Sequence, residues 1–342
     1  MDKILGFINA LPGAASQGLI YGIMAIGVYI TYKILDIADL TVDSSFCTGG
    51  AAFVVCFNAL GCDTRALIVG LLAALVVGLL AGLVTGLLHT VCGIPAILAG
   101  ILTQLGLWPV NMALMGILEH KLLSTLSIPL MDDVAVDHLL VSLRFVNDVA
   151  DGKRLFFRHP IFVVGMLTAL MIAVLYWFFG TERGASLRAT GTNGAMARAQ
   201  GINTDVNKVI GLMISNSMVA LAGALMAQFK GSAEIKMGQG AIVIGLAAVI
   251  IGEVLLDKVF RNFALKLASV SIGAIIYYVV VQAVISLSGI DSNYQKLISA
   301  IMVGLFLTIP YWKRKYFRTQ VKVAAGGRKA QGEIKIGGDE DA

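Results

Sequence analysis

Runs of about 18 or more apolar residues recur along almost the whole chain, the length at which a helix crosses a bilayer. They predict spans over 14–35, 45–60, 64–88, 95–118, 160–179, 207–229, 240–256, 264–287 and 295–312. The second is short and the seventh marginal. The pattern therefore predicts about nine transmembrane or re-entrant helices.

Composition supports this class. The chain of 342 residues is 58% hydrophobic and 14% charged, against roughly 25% charged for a soluble domain. A soluble globule cannot bury that much apolar surface, so the expected fold class is an all-α polytopic membrane protein. The net charge of +5 is concentrated in a few loops and the C-terminal region, which reports orientation and not nucleic-acid binding. Cys47, Cys56 and Cys92 lie in or beside apolar runs and Cys62 in a short turn; none has metal-ligand spacing, so free thiols are expected. Only Lys3 precedes the first apolar run, and no small-residue cleavage site follows, so no removable signal peptide is expected.

Orientation follows from the bias of basic residues toward the cytosol. Lys313, Arg314, Lys315, Arg318, Lys322, Arg328, Lys329 and Lys335 follow Trp312, which predicts a cytoplasmic C-terminus. Counting back places the Lys258/Arg261/Lys266 loop and the 180–206 loop inside as well. The 119–159 segment, whose acids and bases roughly balance, falls outside, and so does the N-terminus. Residues 1–318 thus form one transmembrane domain, and 319–342 a cytoplasmic tail expected to be disordered.

Residues 79–101 and 219–249 echo each other: LAG, a helix of small residues, a short loop, then a Gly- and Ala-rich helix. The predicted topology runs the copies in opposite directions, as in the inverted repeats of many transporters. Coincidence among Leu, Ala and Gly explains the echo equally well. The Gly78-x-x-x-Gly82-x-x-x-Gly86 series indicates close helix packing.

Polar residues at membrane depth are costly and therefore informative. Asp36, Asp39 and Asp43, with Thr41, Ser44, Ser45 and Thr48, interrupt an otherwise apolar stretch, and Gly49 and Gly50 follow. A broken helix or re-entrant turn facing a translocation path is one reading; a plain cytosolic turn is the other. Ser215, Asn216, Ser217, Gln104 and Asn111 either line a pore or serve as hydrogen-bonding glue between helices. Glu253, at a span end, is expected to pair with Lys258 or to make a structural hydrogen bond.

A second polar island, LRATGTNGAMARAQGINTD, runs from Leu187 to Asp205. Gly194–Gln200 reads as a short helix, with Gly201 and Asn203 as stop signals. It is either a solvated loop or a surface gripped by another protein. No Walker-type phosphate loop, HExxH-type ligand pair, nucleophile–base constellation, voltage-sensor arginine series or selectivity-filter loop accompanies it. Enzyme and channel readings have little support.

Three blocks resemble the permease family of ABC importers that includes branched-chain amino-acid, ribose and nucleoside permeases, and within it the tryptophan-type amino-acid subgroup. They are ITYKILDIADLTVDSSF, ATGTNGAMARAQGI and AIVIGLAAVIIGEVL. The likeness spans most of 14–312, and the second block is the most specific. Thr192 and Ala195 stand where relatives commonly carry acids, and Cys47-Thr48-Gly49 replaces an expected Pro-Leu-Gly.

The resemblance implies a type II ABC importer-like permease subunit in a bacterial inner membrane, with no cofactor and no catalysis of its own. Cytosolic ATP-binding subunits would dock on a coupling helix within 180–206, engaging Arg188, Asn193, Met196, Arg198, Gln200 and Asn203. A periplasmic or lipid-anchored substrate-binding protein would deliver a small solute, an amino acid and in particular an aromatic one, to a pathway formed with a second permease subunit, a homodimer being expected. Asp39, Thr41, Asp43, Ser45 and Asn216 would shape that pathway. An ion-gradient-driven secondary transporter of a small polar solute is the competing class, and a non-transporting scaffold a third.

Overall fold

A computed structural model describes residues 2–116, 127–130, 139–142, 146, 159–256, 262–288, 297, 300–306 and 308. The helices are α1 (Asp2–Tyr29), continued by a π-helical turn (Ile30–Ile34), α2 (Val42–Ala59), α3 (Thr64–Thr90), α4 (Ala96–Gly116), α5 (Pro160–Gly180), α6 (Glu182–Thr192), α7 (Gly194–Ala199), α8 (Thr204–Lys230), α9 (Ala241–Leu256) and α10 (Phe263–Ser288). Two three-residue strands, β1 (Ser127–Pro129) and β2 (Ser232–Glu234), pair antiparallel with Ile128 opposite Ala233.

Among the described residues, six helices are long and apolar enough to cross a membrane: α1 with its π-turn, α3, α4, α5, α8 and α10. The predicted spans 45–60 and 240–256 correspond to the shorter α2 and α9. The last predicted span, 295–312, is described only in part, as helix over 300–306. The first span needs correction at its start, where the helix begins at Asp2, not residue 14, with Pro12 accommodated inside it; its end is met within one residue, since the π-turn carries the span on to Ile34. The 119–159 segment, Lys258, Arg261 and the 319–342 tail lie wholly or largely outside the described residues.

Burial shows which helices organise the rest. Of an 18-residue apolar window, 78% is buried in α1 with its π-turn and 72% in α8, against 17% in α5 and 22% in α4. α8 packs against α3, α2 and α1, while α1 and α9 both pack on α10. The outer helices turn Leu72, Val76, Leu80 (α3), Leu98, Leu102, Leu105 (α4), Met166, Leu170 and Trp177 (α5) outward. In water such a surface would aggregate; against lipid tails it is at no disadvantage.

With no hydrophobic force between helices inside a bilayer, close packing must hold them together, and small residues permit it. The α3 glycine series does this. A Cβ at Gly78 would overlap the backbone at Asn216, one at Gly82 the backbone at Leu212, and one at Gly86 would crowd Val209. The partner numbers fall as the α3 numbers rise, so α3 and α8 run antiparallel. The same device joins α1 to α10, where Gly18 meets Ile275 and Gly22 meets Ser271.

Candidate functional site

Two breaks in helical structure enter the bundle from opposite ends. The first follows α1. Its π-turn closes with a bond from the Leu35 N–H to the Ile30 carbonyl (3.0 Å), and the Ile37 N–H reaches the Thr31 carbonyl (2.9 Å). Asp36 is then left-handed (φ 56°), a conformation Asp tolerates better than most residues. The chain turns back on itself and α2 starts at Val42. The second break runs from Gly231, whose φ of 78° ends α8, through β2 to the start of α9.

Two carboxylates anchor this region, and the breaks meet at the second of them, Asp43. Asp39, 2% exposed, accepts the Thr41 N–H at the start of α2 (2.9 Å) and an Asn216 Nδ2 proton (2.7 Å). Asn216 in turn accepts the Ser45 hydroxyl through Oδ1 (2.6 Å). Thr41 shares a hydrogen bond with Thr85 of α3 (2.7 Å), and Thr85 donates to Thr103 of α4 (2.9 Å). One buried seam of polar side chains thus links the first break to α2, α3, α4 and α8. Asp43, half-buried, accepts the N–H groups of Gly240 (3.0 Å) and Ile242 (2.9 Å) at the start of α9. A carboxylate there satisfies orphan donors and complements the positive end of the helix dipole.

All five sequence-selected pathway residues therefore gather in one region. Asp39, Thr41, Ser45 and Asn216 are buried, bonded to other groups of the seam, and Asp43 holds the neighbouring helix start. Of the other polar candidates, Ser215 donates to the Gly27 carbonyl of α1 (2.8 Å) and Ser217 to its own helix at Ile214 (2.7 Å). Only the Ser215 contact is glue between helices. Ser44 donates to the backbone carbonyl of Gln104 (3.0 Å). Asn111 is buried, and its Oδ1 has no hydrogen-bond partner among the described residues.

The 187–205 island folds as part of two helices and a turn that cap one end of the bundle. α7 matches the short helix expected over Gly194–Gln200, but α6, read from sequence as loop, is also helical. Asn193 caps α7 by accepting the Met196 N–H (3.0 Å). Gly201 (φ 79°) follows α7 in the left-handed conformation, whereas Asn203 does not stop α7: its Oδ1 caps α8, accepting from Asp205 (3.1 Å) and Val206 (3.2 Å). Arg188, an exposed residue, reaches back to the end of α5, donating to the Phe179 carbonyl (3.0 Å) and lying 5.9 Å from the Phe263 ring centre. Ala197 is buried, which leaves Met196 (63% exposed), Arg198 and Gln200 on the free face of α7.

The cap is braced against the bundle. Asn207 of α8 donates to Thr190 (2.9 Å) and accepts from Ser186 (3.3 Å). Gly191 lies so close to Ile34 of the π-turn that a Cβ would overlap its carbonyl. Beside it, Lys33 pairs with Glu253 near the end of α9, its Nζ 3.0 and 3.1 Å from the two carboxylate oxygens. This is a structural hydrogen bond of the kind expected for Glu253, while Lys258, the other expected partner, lies outside the described residues. Nothing local in the sequence points to a lysine 220 positions away.

Six helices among the described residues long and apolar enough to span a bilayer, with lipid-type outer faces and broken helices in a polar interior, are the architecture of a multi-pass membrane protein. The family model for the branched-chain amino acid transport system permease component matches residues 11–307, and the chain belongs to that family. It is 35% identical over 300 residues to the tyrosine transport system permease protein of Clostridioides difficile, covering 88% of this chain and 91% of that one. An uncharacterized protein of Rickettsia prowazekii is 31% identical over 312 residues, 90% and 99% of the two chains. The autoinducer 2 import system permease LsrC of Yersinia pestis matches at 34% over 92 residues, about a quarter of each chain (27% and 26%). No solved structure matches. The protein is a transport-system permease, a non-catalytic membrane subunit.

Proposed function

We propose that this permease is the translocating subunit of an ABC importer for an amino acid, an aromatic one such as tyrosine being the first to test. The exposed face of α7 carries the reading. Met196, Arg198 and Gln200 project from a short helix whose start is fixed by the Asn193 cap and whose flanks are braced on α8. A rigid, partly apolar, basic knob of this kind suits a cleft on a cytosolic ATP-binding subunit. Asn193, Asn203 and Arg188 contribute by holding the knob in place. A substrate-binding protein supplies affinity on the opposite face, and a second permease subunit completes the path. The permease itself then needs only weak, state-dependent contacts with the solute.

Asp39, Thr41, Asp43, Ser45 and Asn216 act in this scheme as the jointed wall of the path. They join the starts of α2 and α9, the elements whose relative movement opens it. The antiparallel packing of α3 on α8 supports an inverted repeat relating 79–101 to 219–249, with about nine membrane-embedded helices and the 180–206 cap and C-terminus cytoplasmic. In an inner membrane this orientation places 119–159 outside.

The test is reconstitution in liposomes with candidate ATP-binding and binding proteins, followed by radiolabelled L-tyrosine uptake. ATP-dependent uptake is expected to fall at least about tenfold in Arg198→Glu, with loss of ATP-binding-subunit association. Uptake by Arg198→Glu at the wild-type rate refutes the docking role. Uptake that ignores ATP and collapses with an uncoupler refutes the importer class.

A further inference from the structure

We infer that Lys33 and Glu253 are positioning residues of the transport cycle: their ion pair holds the end of α1 against the end of α9 and is released and remade at each turnover. This rests on the proposal that a partner pushes on α7. α9 is attached at both ends to residues flanking one break, Asp43 just after it and Lys33 just before it. The two attachments differ in kind. Asp43 is a half-buried charged acceptor for two backbone N–H groups, aligned with the helix dipole, and such bonds are strong. The Lys33 and Glu253 side chains are 49% and 34% exposed, and a pair so open to solvent shifts an equilibrium only about two- to fivefold. The start of α9 is therefore the pivot and its end the releasable contact.

The segment carrying Lys33 is suited to move. It is a π-turn, a winding used in single turns at functional positions, with α-helical winding as its near alternative. The cap bears on this turn: Gly191 abuts the Ile34 carbonyl, and α7 begins three residues after Gly191. Displacement of α7 reaches residue 34 through backbone contact, without a flexible side chain between, and residue 33 is its neighbour.

A charge-swap cycle in the reconstituted complex tests this, with ATP hydrolysed per L-tyrosine imported as the readout. Lys33→Glu and Glu253→Lys should each raise that ratio by roughly two- to fivefold, with ATP-binding-subunit association unchanged. The double swap should bring it back to the wild-type value. Single variants with an unchanged ratio, including a proportional fall in hydrolysis and uptake as a structural role would give, overturn the inference. So does a double swap as uncoupled as its parents. Wild-type permease that binds no ATP-binding subunit at all fails the docking proposal itself, an outcome the separate association measurement identifies.

Discussion

The chain contains two polar islands, an acidic one at 35–48 and a basic, glycine-containing one at 187–205, and folds them in opposite ways. In the first, side chains bond across elements: Ser45 and Asp39 both reach Asn216, 171 and 177 positions away. In the second, the two cap asparagines bond two or three positions along, Asn193 to Met196 and Asn203 to Asp205 and Val206. Long-range bonding spends the polar groups on holding helices together. Local bonding satisfies the backbone and leaves Met196, Arg198 and Gln200 facing out. What separates a joint from a docking surface here is the distance over which its polar groups find partners.

The comparison breaks most visibly if the inner island tolerates loss of its central member. Asn216→Ala removes a donor from Asp39 and the acceptor of Ser45. Hydrogen bonds between helices in a membrane average only about 0.6 kcal/mol, but a buried group left without its partner costs about 1–3 kcal/mol. The variant leaves both the buried Asp39 and the buried Ser45 short of a partner, so the larger figure governs. A loss of about 2–3 kcal/mol is expected in a denaturant titration in detergent. A change below about 0.5 kcal/mol would mean that the seam is incidental.

Much of this architecture is legible in one dimension. Apolar run length finds the long helices, and the Gly78–Gly82–Gly86 spacing announces close packing on α3, though not that α8 is the partner. The gathering of Asp39, Thr41, Asp43, Ser45 and Asn216 is anticipated because uncompensated polar groups at membrane depth must find each other. Partners set by the third dimension escape: the Lys33–Glu253 pair, and the reach of Arg188 back to Phe179. The Asn203 signal is ambiguous for a local reason. Asn both follows helices and starts them, and only the geometry selects the second role.

Glycines sharpen the contrast at an intermediate scale. Gly82→Ala puts a methyl into the Leu212 backbone, and overpacking of this kind costs about 1–3 kcal/mol. Gly194→Ala, at the start of α7, meets nothing within 4 Å, and Ala is favoured over Gly in a helix by up to about 1 kcal/mol. Opposite signs are expected in the same denaturant titration. Equal costs at both positions would mean that α7 is as tightly enclosed as α3.

The smallest effect on stability belongs to the outer face of α7, and its smallness is the point. Met196 is 63% exposed, so Met196→Ser removes little buried area and should alter the isolated permease by no more than about 0.5 kcal/mol. If this face is a partner surface, the cost appears on association instead, because an exposed apolar side chain within a polar surround is what an interface buries at its centre. Affinity for the ATP-binding subunit should weaken about tenfold, read by surface-immobilised binding in detergent. A variant that unfolds more readily yet binds as well as wild type would reverse the assignment. It would make α7 part of the structural core and leave the inner seam as the only functional polar region of the two.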